Sequence, residues 1–191
     1  MAFTKKTVLV TGSTHGIGLA LATLYTKAGW NVIGTARAAS NTDKLSALSP
    51  MKIVMLDTSD EDSVKEAALQ LNNIPIDLLI NNAGTGWLTD IPNLQLAMKL
   101  NGVASVVQLS SLLGSVNSNT DDNAMYFRGH NVAFVAVHPR YVDTELTGGQ
   151  GPLKAIEVAA AIADLVTNVT LKDSGRFLNA DPTMPGDELP W

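Results

Sequence analysis

Eight residues near the start of the chain have the composition of a phosphate-binding turn. They follow the apolar run 8–10 and precede a helix-forming stretch that begins at Leu19; in order they are Thr11, Gly12, Ser13, Thr14, His15, Gly16, Ile17 and Gly18. A glycine-rich turn between a strand and a helix directs backbone N–H groups and the helix N-terminus towards an anion. The pattern predicts a dinucleotide site; the alternative is a tight turn that binds nothing.

Each glycine has its own predicted role in this turn. Gly12 permits a tight bend, Gly16 lets the backbone approach a pyrophosphate, and Gly18 lets the helix lie close to its strand. The strand before the turn and the helix after it favour the binding interpretation.

The rest of the chain alternates short apolar runs with helical patterns. We predict strands over 7–10, 31–35, 52–56, 77–80, 104–109 and 132–137, and helices over 17–28, 61–71, 94–100 and 154–166. Ser59 or Asp60 is expected to cap the second helix, and residues 148–152 to form a mobile loop. The strand at 132–137 is apolar on both faces, as a parallel strand between two helix layers requires. The expected fold is α/β, a doubly wound parallel sheet (Rossmann fold) in a single domain over residues 1–191.

Composition excludes several other classes of protein. The formal net charge is −5, and no run of lysine and arginine is present, which argues against nucleic acid as a partner. Cysteine is absent, and the three histidines lie in different segments, so no metal site is expected. Neither a signal-peptide pattern nor an apolar stretch of bilayer length is found. We expect a soluble cytoplasmic protein with no membrane partner.

Further motifs follow the later strands in a fixed order. Asp57 follows the third strand, residues 81–84 the fourth, Ser110 and Ser111 the fifth, and residues 138–144 the sixth, with Tyr126 before the last of these. Together with the glycine turn, this order resembles the short-chain dehydrogenase/reductase family over nearly the whole chain. Residues 174–179 and 189–191 resemble a reductase subgroup of that family more loosely.

The resemblance implies a role for each motif in holding a dinucleotide. Asp57 would receive the adenine amino group. The backbone of Asn82, Ala83 and Gly84 would line the adenosine ribose. The segment that would pass under the nicotinamide and its phosphates contains Pro139, Val142 and Thr144.

Simpler structural roles remain open for some of these residues. Asp57 can cap the helix that follows it, a role compatible with nucleotide binding. Asn81 and Asn82 can tie neighbouring strands together through their amides. We expect His138 to be a packed histidine at a strand end rather than a ligand.

The end of the second strand indicates which dinucleotide is preferred. An acidic residue there accepts the ribose 2′-hydroxyl of NAD, whereas an arginine accommodates the 2′-phosphate of NADP. Arg37 stands at this position with no carboxylate beside it, and His15 occupies a place where NADP-preferring relatives often carry a basic residue. The predicted cofactor is NADP(H). The alternative is that Arg37 is an ordinary solvated surface charge.

The resemblance also implies a reaction, hydride transfer between the nicotinamide and a small-molecule carbonyl or alcohol substrate. Ser111 would hold the substrate oxygen, Tyr126 would act as general acid and base, and Asn101 would anchor a proton-relay water. A strand-terminal serine pair and a surface tyrosine are the simpler interpretations.

One expected partner of Tyr126 is missing. The family carries a lysine four residues after the tyrosine, whose ammonium lowers the phenol pKa, whereas this chain has His130 there. Two crossover helices are expected to be shortened or missing, so that one sheet face is partly bare and the usual helix-paired dimer does not form. We therefore predict an NADP(H)-dependent oxidoreductase with impaired catalysis. The alternatives are a non-catalytic NADP(H)-binding module, or a shortened splice or gene-model product of an active enzyme.

Overall fold

The computed structural model describes residues 5–84, 104–109, 131–181 and 188–189. The predictions for Asn101, Ser111 and Tyr126 lie outside these residues. So do the predicted helix 94–100 and the two crossovers that were expected to be short.

Within the described ranges, strands alternate with helices as predicted. The strands are β1 (Thr7–Val10), β2 (Asn31–Ala36), β3 (Lys52–Met55), β4 (Leu78–Asn81), β5 (Ala104–Leu109), β6 (Val132–His138), β7 (Val142–Asp143), β8 (Leu153–Lys154) and β9 (Phe177–Asn179). The helices are α1 (Gly16–Lys27), α2 (Asp43–Ser46), α3 (Glu61–Gln70) and α4 (Ala155–Asn168). Short 3₁₀ turns occur at Glu145–Thr147 and Leu171–Asp173. None of the helices described is both long and apolar enough to span a membrane.

Seven of these strands form one parallel sheet in the order β3-β2-β1-β4-β5-β6-β9. The chain runs outwards from β1 in one direction, then returns to place β4 on the other side of β1. Such a reversal opens a crevice at the carboxyl ends of the two central strands, which is where doubly wound sheets bind ligands. The predicted α/β fold is confirmed.

Alternate strand residues supply the cores on the two faces of the sheet. On one face, Val8 and Val10 pack with α1 and α4. On the other, Leu9 packs in the cluster that contains Val64 of α3. Successive strand side chains point to opposite faces, so a strand buried on both sides must be apolar throughout. All seven residues of β6 are buried, as that rule requires.

The expectation of a partly bare sheet face is wrong for the strand residues described. Val106 of β5 and Phe134 of β6 lie on the face shared with α3, and they are 0% and 2% exposed. The apolar surface of these two strands is therefore removed from water.

The longer elements begin and end close to the predicted positions, and α3 is capped as expected. The Asp60 carboxylate accepts hydrogen bonds from the N–H groups of Asp62 and Ser63. The prediction did not include α2, β7, β8 or β9, because strands of two or three residues are too short to show an alternating pattern and α2 is a single helical turn. The predicted loop 148–152 packs against β7, since a Cβ added at Gly151 would overlap the Val142 backbone.

Candidate dinucleotide site

The glycine turn lies at the reversal point of the sheet. It leaves the carboxyl end of β1, and residues 82–84 leave the carboxyl end of the neighbouring β4. Strand pairing brings the two segments together, with Val10 in register with Ile80. The sequence-predicted residues of both motifs therefore share one crevice.

Thr11 and Asn82 hold the two segments to each other. The Thr11 hydroxyl oxygen accepts the N–H groups of Asn82 at 3.0 Å and Ala83 at 2.9 Å. In return, the Asn82 amide nitrogen donates to the carbonyl oxygens of Thr11 at 2.9 Å and Gly12 at 3.1 Å. The strand-tying role considered for Asn82 is confirmed. Asn81 is not part of this network, and within the described chain its buried amide atoms have no hydrogen-bond partner.

The other side of the turn is fixed to β2 through Thr35. Its hydroxyl accepts the Gly12 N–H at 3.0 Å, and its backbone exchanges hydrogen bonds with Ser13. The Ser13 hydroxyl also donates to the Val10 carbonyl oxygen at 2.5 Å. Ser13 was predicted to bind the cofactor, but its side chain and N–H are directed inwards, where they hold the turn in shape.

Sequence reasoning did not identify Thr35 as a site residue, and it placed Thr11 in the glycine motif without predicting its hydrogen bonds. Both are almost fully buried, Thr11 at 0% and Thr35 at 2% exposure, and neither presents its hydroxyl to the crevice. Thr11 is the first residue of the glycine motif, so its position in the sequence could have indicated a role in holding the turn. Nothing local marks Thr35, because its partner Gly12 is distant in sequence.

Backbone conformation explains two of the glycines, and a steric contact explains the third. Gly12 has a φ of +65° and Gly16 a φ of +56°, a region that L side chains rarely adopt. A Cβ added at Gly18 would overlap the Gly12 carbonyl oxygen and lie 2.6 Å from the Asn82 amide nitrogen. The predicted role of Gly18, close approach of helix to strand, is confirmed.

The N-terminus of α1 has the properties of an anion site. His15 is the N-cap residue, but its side chain makes no capping hydrogen bond. The first turn of α1 contains no acidic residue, and Thr14 is buried beside it. The first N–H groups of a helix lack intrahelical partners and carry a partial positive charge. These donors fit the pyrophosphate of a dinucleotide, and the residues from His15 to Gly18 would hold it.

Asp57 lies beyond β3 as an ordered carboxylate rather than as the cap of α3. Its Oδ1 accepts the Ser59 N–H at 3.0 Å and the Ser59 hydroxyl at 2.6 Å. These bonds, above all the one from the hydroxyl, lower the pKa of Asp57, and the nearby positive charge of Arg37 adds to the effect. Arg37 itself is exposed immediately after β2. An acceptor and a cation thus lie at the carboxyl ends of neighbouring strands.

The segment after β6 lies over the glycine turn. A Cβ added at Gly16 would be 3.4 Å from the Thr144 methyl group, and the side chain of Val142, in the same segment, is buried. Pro139 is half-buried between β6 and this segment.

His138 is buried at the end of β6, with its ring edge-on to Phe177 at a centroid distance of 6.3 Å. The prediction of a packed histidine is confirmed.

No cluster of three metal-ligating side chains occurs among the residues that the structure describes. What the site offers instead is a row of backbone N–H donors at the N-terminus of α1, with Asp57 and Arg37 to one side. This donor set fits a phosphate-bearing nucleotide.

We expect Gly18→Ala to lower the free energy of unfolding by about 1–3 kcal/mol, because the added methyl group forces α1 away from the turn. The sign of this change identifies its cause, since replacing glycine by alanine in an unhindered helix would instead raise the free energy of unfolding by about 1 kcal/mol. Chemical denaturation measures the change. Gly84→Ala is the control, since the Cβ added there meets no atom of the described residues within 4 Å. Equal effects of the two substitutions would contradict the steric role of Gly18.

We expect Ser59→Ala to raise the pKa of Asp57 towards its ordinary value, because the largest cause of the lowering is removed. A carboxyl whose folded pKa is depressed stabilises the fold above its unfolded pKa, and this stabilisation is lost as the pH falls through the folded pKa. Carboxyl-carbon NMR titration of Asp57 checks the shift. In the control Ser63→Ala, the lost hydroxyl accepts the Asp57 N–H rather than bonding its carboxylate. An unchanged Asp57 pKa in Ser59→Ala would refute the assignment.

Comparison with known proteins agrees with this geometry. The family model described as short chain dehydrogenase matches residues 6–116. The serine 3-dehydrogenase of Rhizobium radiobacter is 44% identical over 82 residues, which cover 41% of this chain and 33% of that protein. The NADPH-dependent 1-acyldihydroxyacetone phosphate reductase of Schizosaccharomyces pombe is 40% identical over 84 residues, covering 42% of this chain and 28% of that protein. The matched part thus spans about a third of the length of these relatives.

Solved structures resemble the whole fold. A short-chain dehydrogenase/reductase from Burkholderia multivorans with bound NADP has a TM-score of 0.76 at 21% identity, covering 98% of this chain and 100% of that one. A carbonyl reductase from Pseudomonas aeruginosa in complex with NADP has a TM-score of 0.75 at 23% identity, covering 98% and 100%. The family match covers more than half of the chain, and the order of motifs agrees with it. The chain therefore belongs to the short-chain dehydrogenase/reductase family.

Proposed function

We propose that this protein binds NADP(H) in the crevice between the glycine turn and residues 82–84. The observation that carries the proposal is the arrangement at the end of β1, where Thr11, Thr35 and Asn82 fix the turn and leave the N-terminus of α1 uncapped. Backbone donors held rigidly in this way bind an anion without reorganisation. The bound NADP of the Burkholderia protein is consistent with the same use of the fold.

The preference for NADP(H) over NAD(H) rests on Arg37. Arg37 directly follows β2 and is exposed at the carboxyl end of that strand. The strand itself, Asn31–Ala36, contains no carboxylate. A planar guanidinium can contact a 2′-phosphate through two hydrogen bonds, whereas a carboxylate there would repel it. Asp57 is close enough for its pKa to respond to Arg37, and its ionised form is a ready acceptor for the adenine amino group.

For the reaction, we propose hydride transfer to or from a carbonyl or alcohol substrate, with slow turnover. The nicotinamide supplies the hydride when the cofactor is bound. Ser111 would hold the substrate oxygen, Tyr126 would move the proton, and Asn101 would anchor a water. A phenol with an ordinary pKa is a weak base at neutral pH, so the missing lysine removes the charge that would activate Tyr126.

Arg140 is a poor replacement for that lysine. Its Nε lies 2.7 Å from Oδ2 of Asp181, whose side chain is fully buried. A guanidinium held by a buried carboxylate has much of its charge balanced there, so it lowers a phenol pKa less than an unpaired ammonium does. This ion pair supports a binding function more strongly than an efficient enzyme. A non-catalytic NADP(H)-binding module is the second candidate, and titration followed by a turnover assay separates the two.

Calorimetric titration should give tighter binding of NADPH than of NADH. A charge-assisted contact contributes about 1.5–3 kcal/mol, and about 1.4 kcal/mol corresponds to tenfold in affinity. Arg37→Asp should therefore weaken NADPH binding by about tenfold or more and narrow or reverse the preference. Lys44→Asp makes the same charge change at an exposed residue of α2 and should leave the preference intact. Equal affinities of the unmodified protein for the two nucleotides would defeat the claim.

Oxidation of NADPH in the presence of simple aldehydes and ketones should be little faster in the unmodified protein than in Tyr126→Phe. The reason is that general acid–base catalysis is worth about 10²–10⁴-fold, most of which is lost without an activated phenol. Absorbance at the nicotinamide band follows the reaction. Rapid turnover that disappears in Tyr126→Phe would mean that another group replaces the lysine, and the impaired-catalysis proposal would be wrong.

A further inference from the structure

Arg140 has a backbone conformation that its residue type disfavours. Its φ is +66°, and it lies in the short connection between β6 and β7, directly after Pro139. A side chain in the left-handed region persists where surrounding contacts over-determine it, and such positions cluster at functional sites. The contacts that hold Arg140 in this conformation therefore indicate the role of the connection between β6 and β7.

Among the contacts described, Arg140 forms an ion pair with Asp181 that acts through charge, since the Nε–H is not aligned as a hydrogen bond to Oδ2. The Arg140 side chain is 40% exposed, whereas that of Asp181 is 0% exposed, with Nε and Oδ2 2.7 Å apart. A carboxylate removed from water needs a charged or hydrogen-bonding partner, so burial of Asp181 favours the arginine geometry despite its φ.

Asp181 is itself fixed to the end of the sheet. It follows β9, which pairs with β6 so that Asn179 is in register with His138. The Ala180 N–H donates to the His138 carbonyl oxygen at 3.0 Å, and the Asp181 N–H donates to Asn179 Oδ1 at 3.1 Å. The ion pair thus joins the connection after β6 to a rigid strand end.

The other end of this connection reaches the glycine turn. Val142 is 2% exposed, and the Thr144 methyl group is the nearest atom to a Cβ built on Gly16. Thr147 holds Thr144 from the far side, because its hydroxyl accepts the Thr144 N–H at 3.1 Å and donates to the Val142 carbonyl oxygen at 2.6 Å. Residues 140–144 therefore have one anchor at Asp181 and the other at Thr147.

We propose that Arg140 and Asp181 are positioning residues, which hold residues 140–144 over Gly16 and so set the affinity for the nicotinamide and pyrophosphate part of the dinucleotide. This inference rests on the proposed NADP(H) function. The pair acts through the backbone of the segment, and Thr144 is the residue that it places against the turn. The adenosine end of the site, near Arg37 and Asp57, lies at β2 and β3 and does not depend on the pair.

The test compares two ligands, NADPH and adenosine 2′-monophosphate, which has the 2′-phosphate but neither pyrophosphate phosphate and so contains only the adenosine end. Asp181→Asn and Arg140→Gly should each weaken NADPH by about fivefold or more, the lower end of typical couplings between separate sites, with binding of the monophosphate unchanged. Arg140→Gly is the more informative variant, since glycine accepts the positive φ and the ion pair is lost without added backbone strain. Arg140→Lys, which keeps the charge, should retain part of the affinity.

The matched control is Arg176→Ala. Arg176 precedes β9 and pairs with Asp173 and Glu188, so its loss breaks ion pairs at the opposite end of the same strand. It should leave the ratio of the two dissociation constants unchanged. If Asp181→Asn and Arg140→Gly weaken both ligands equally, or neither, the pair is merely structural and the inference is overturned.

Hydrogen exchange without nucleotide provides the second readout. Backbone amides of residues 141–144 should exchange faster in Asp181→Asn than in the unmodified protein or Arg176→Ala. Unchanged exchange would overturn the inference whatever the binding results. If the unmodified protein binds neither ligand, the proposed function fails and with it the affinity claim, while faster exchange in Asp181→Asn still supports the positioning of the segment.

Discussion

The hydrogen bonds between Thr11 and Asn82 hold together the two segments on which the site depends. At the carboxyl ends of β1 and β4 the strand ladder stops, and the backbone groups beyond it need new partners. The Thr11 hydroxyl accepts two of these N–H groups, and the Asn82 amide donates to two carbonyl oxygens. Because unsatisfied buried polar groups are costly, this exchange fixes the turn and residues 82–84 in one arrangement.

Close packing follows from that arrangement. With Asn82 drawn towards the turn, the space between α1 and the Gly12 carbonyl oxygen has no room for a Cβ, and position 18 must be glycine. The N-terminus of α1 is then held beside the crevice without a side-chain cap. Satisfaction of the strand-end backbone groups thus leaves the N–H groups of the first turn of α1 beside the crevice, as the proposed binding of an anion requires.

The segment after β6 has an anchor of its own at the edge of the sheet. Arg140 follows Pro139, and its left-handed backbone is retained beside the buried carboxylate of Asp181. The ion pair with Asp181 thus ties the segment that contains Thr144 to the end of β9, the strand at the edge of the sheet.

The sequence by itself determined the parallel α/β fold, most element boundaries, the glycine turn and the family, because each depends on local periodicity or on the order of short motifs. The structural roles of Gly18 and of the packed His138 could also be read from the sequence. Tertiary structure alone decided that Ser13 points inwards, that Thr35 holds Gly12, and that β9 completes the sheet beside β6. It also decided the partner of Arg140. These features depend on contacts between residues far apart in the chain, and no local pattern encodes which distant group will lie within hydrogen-bond distance.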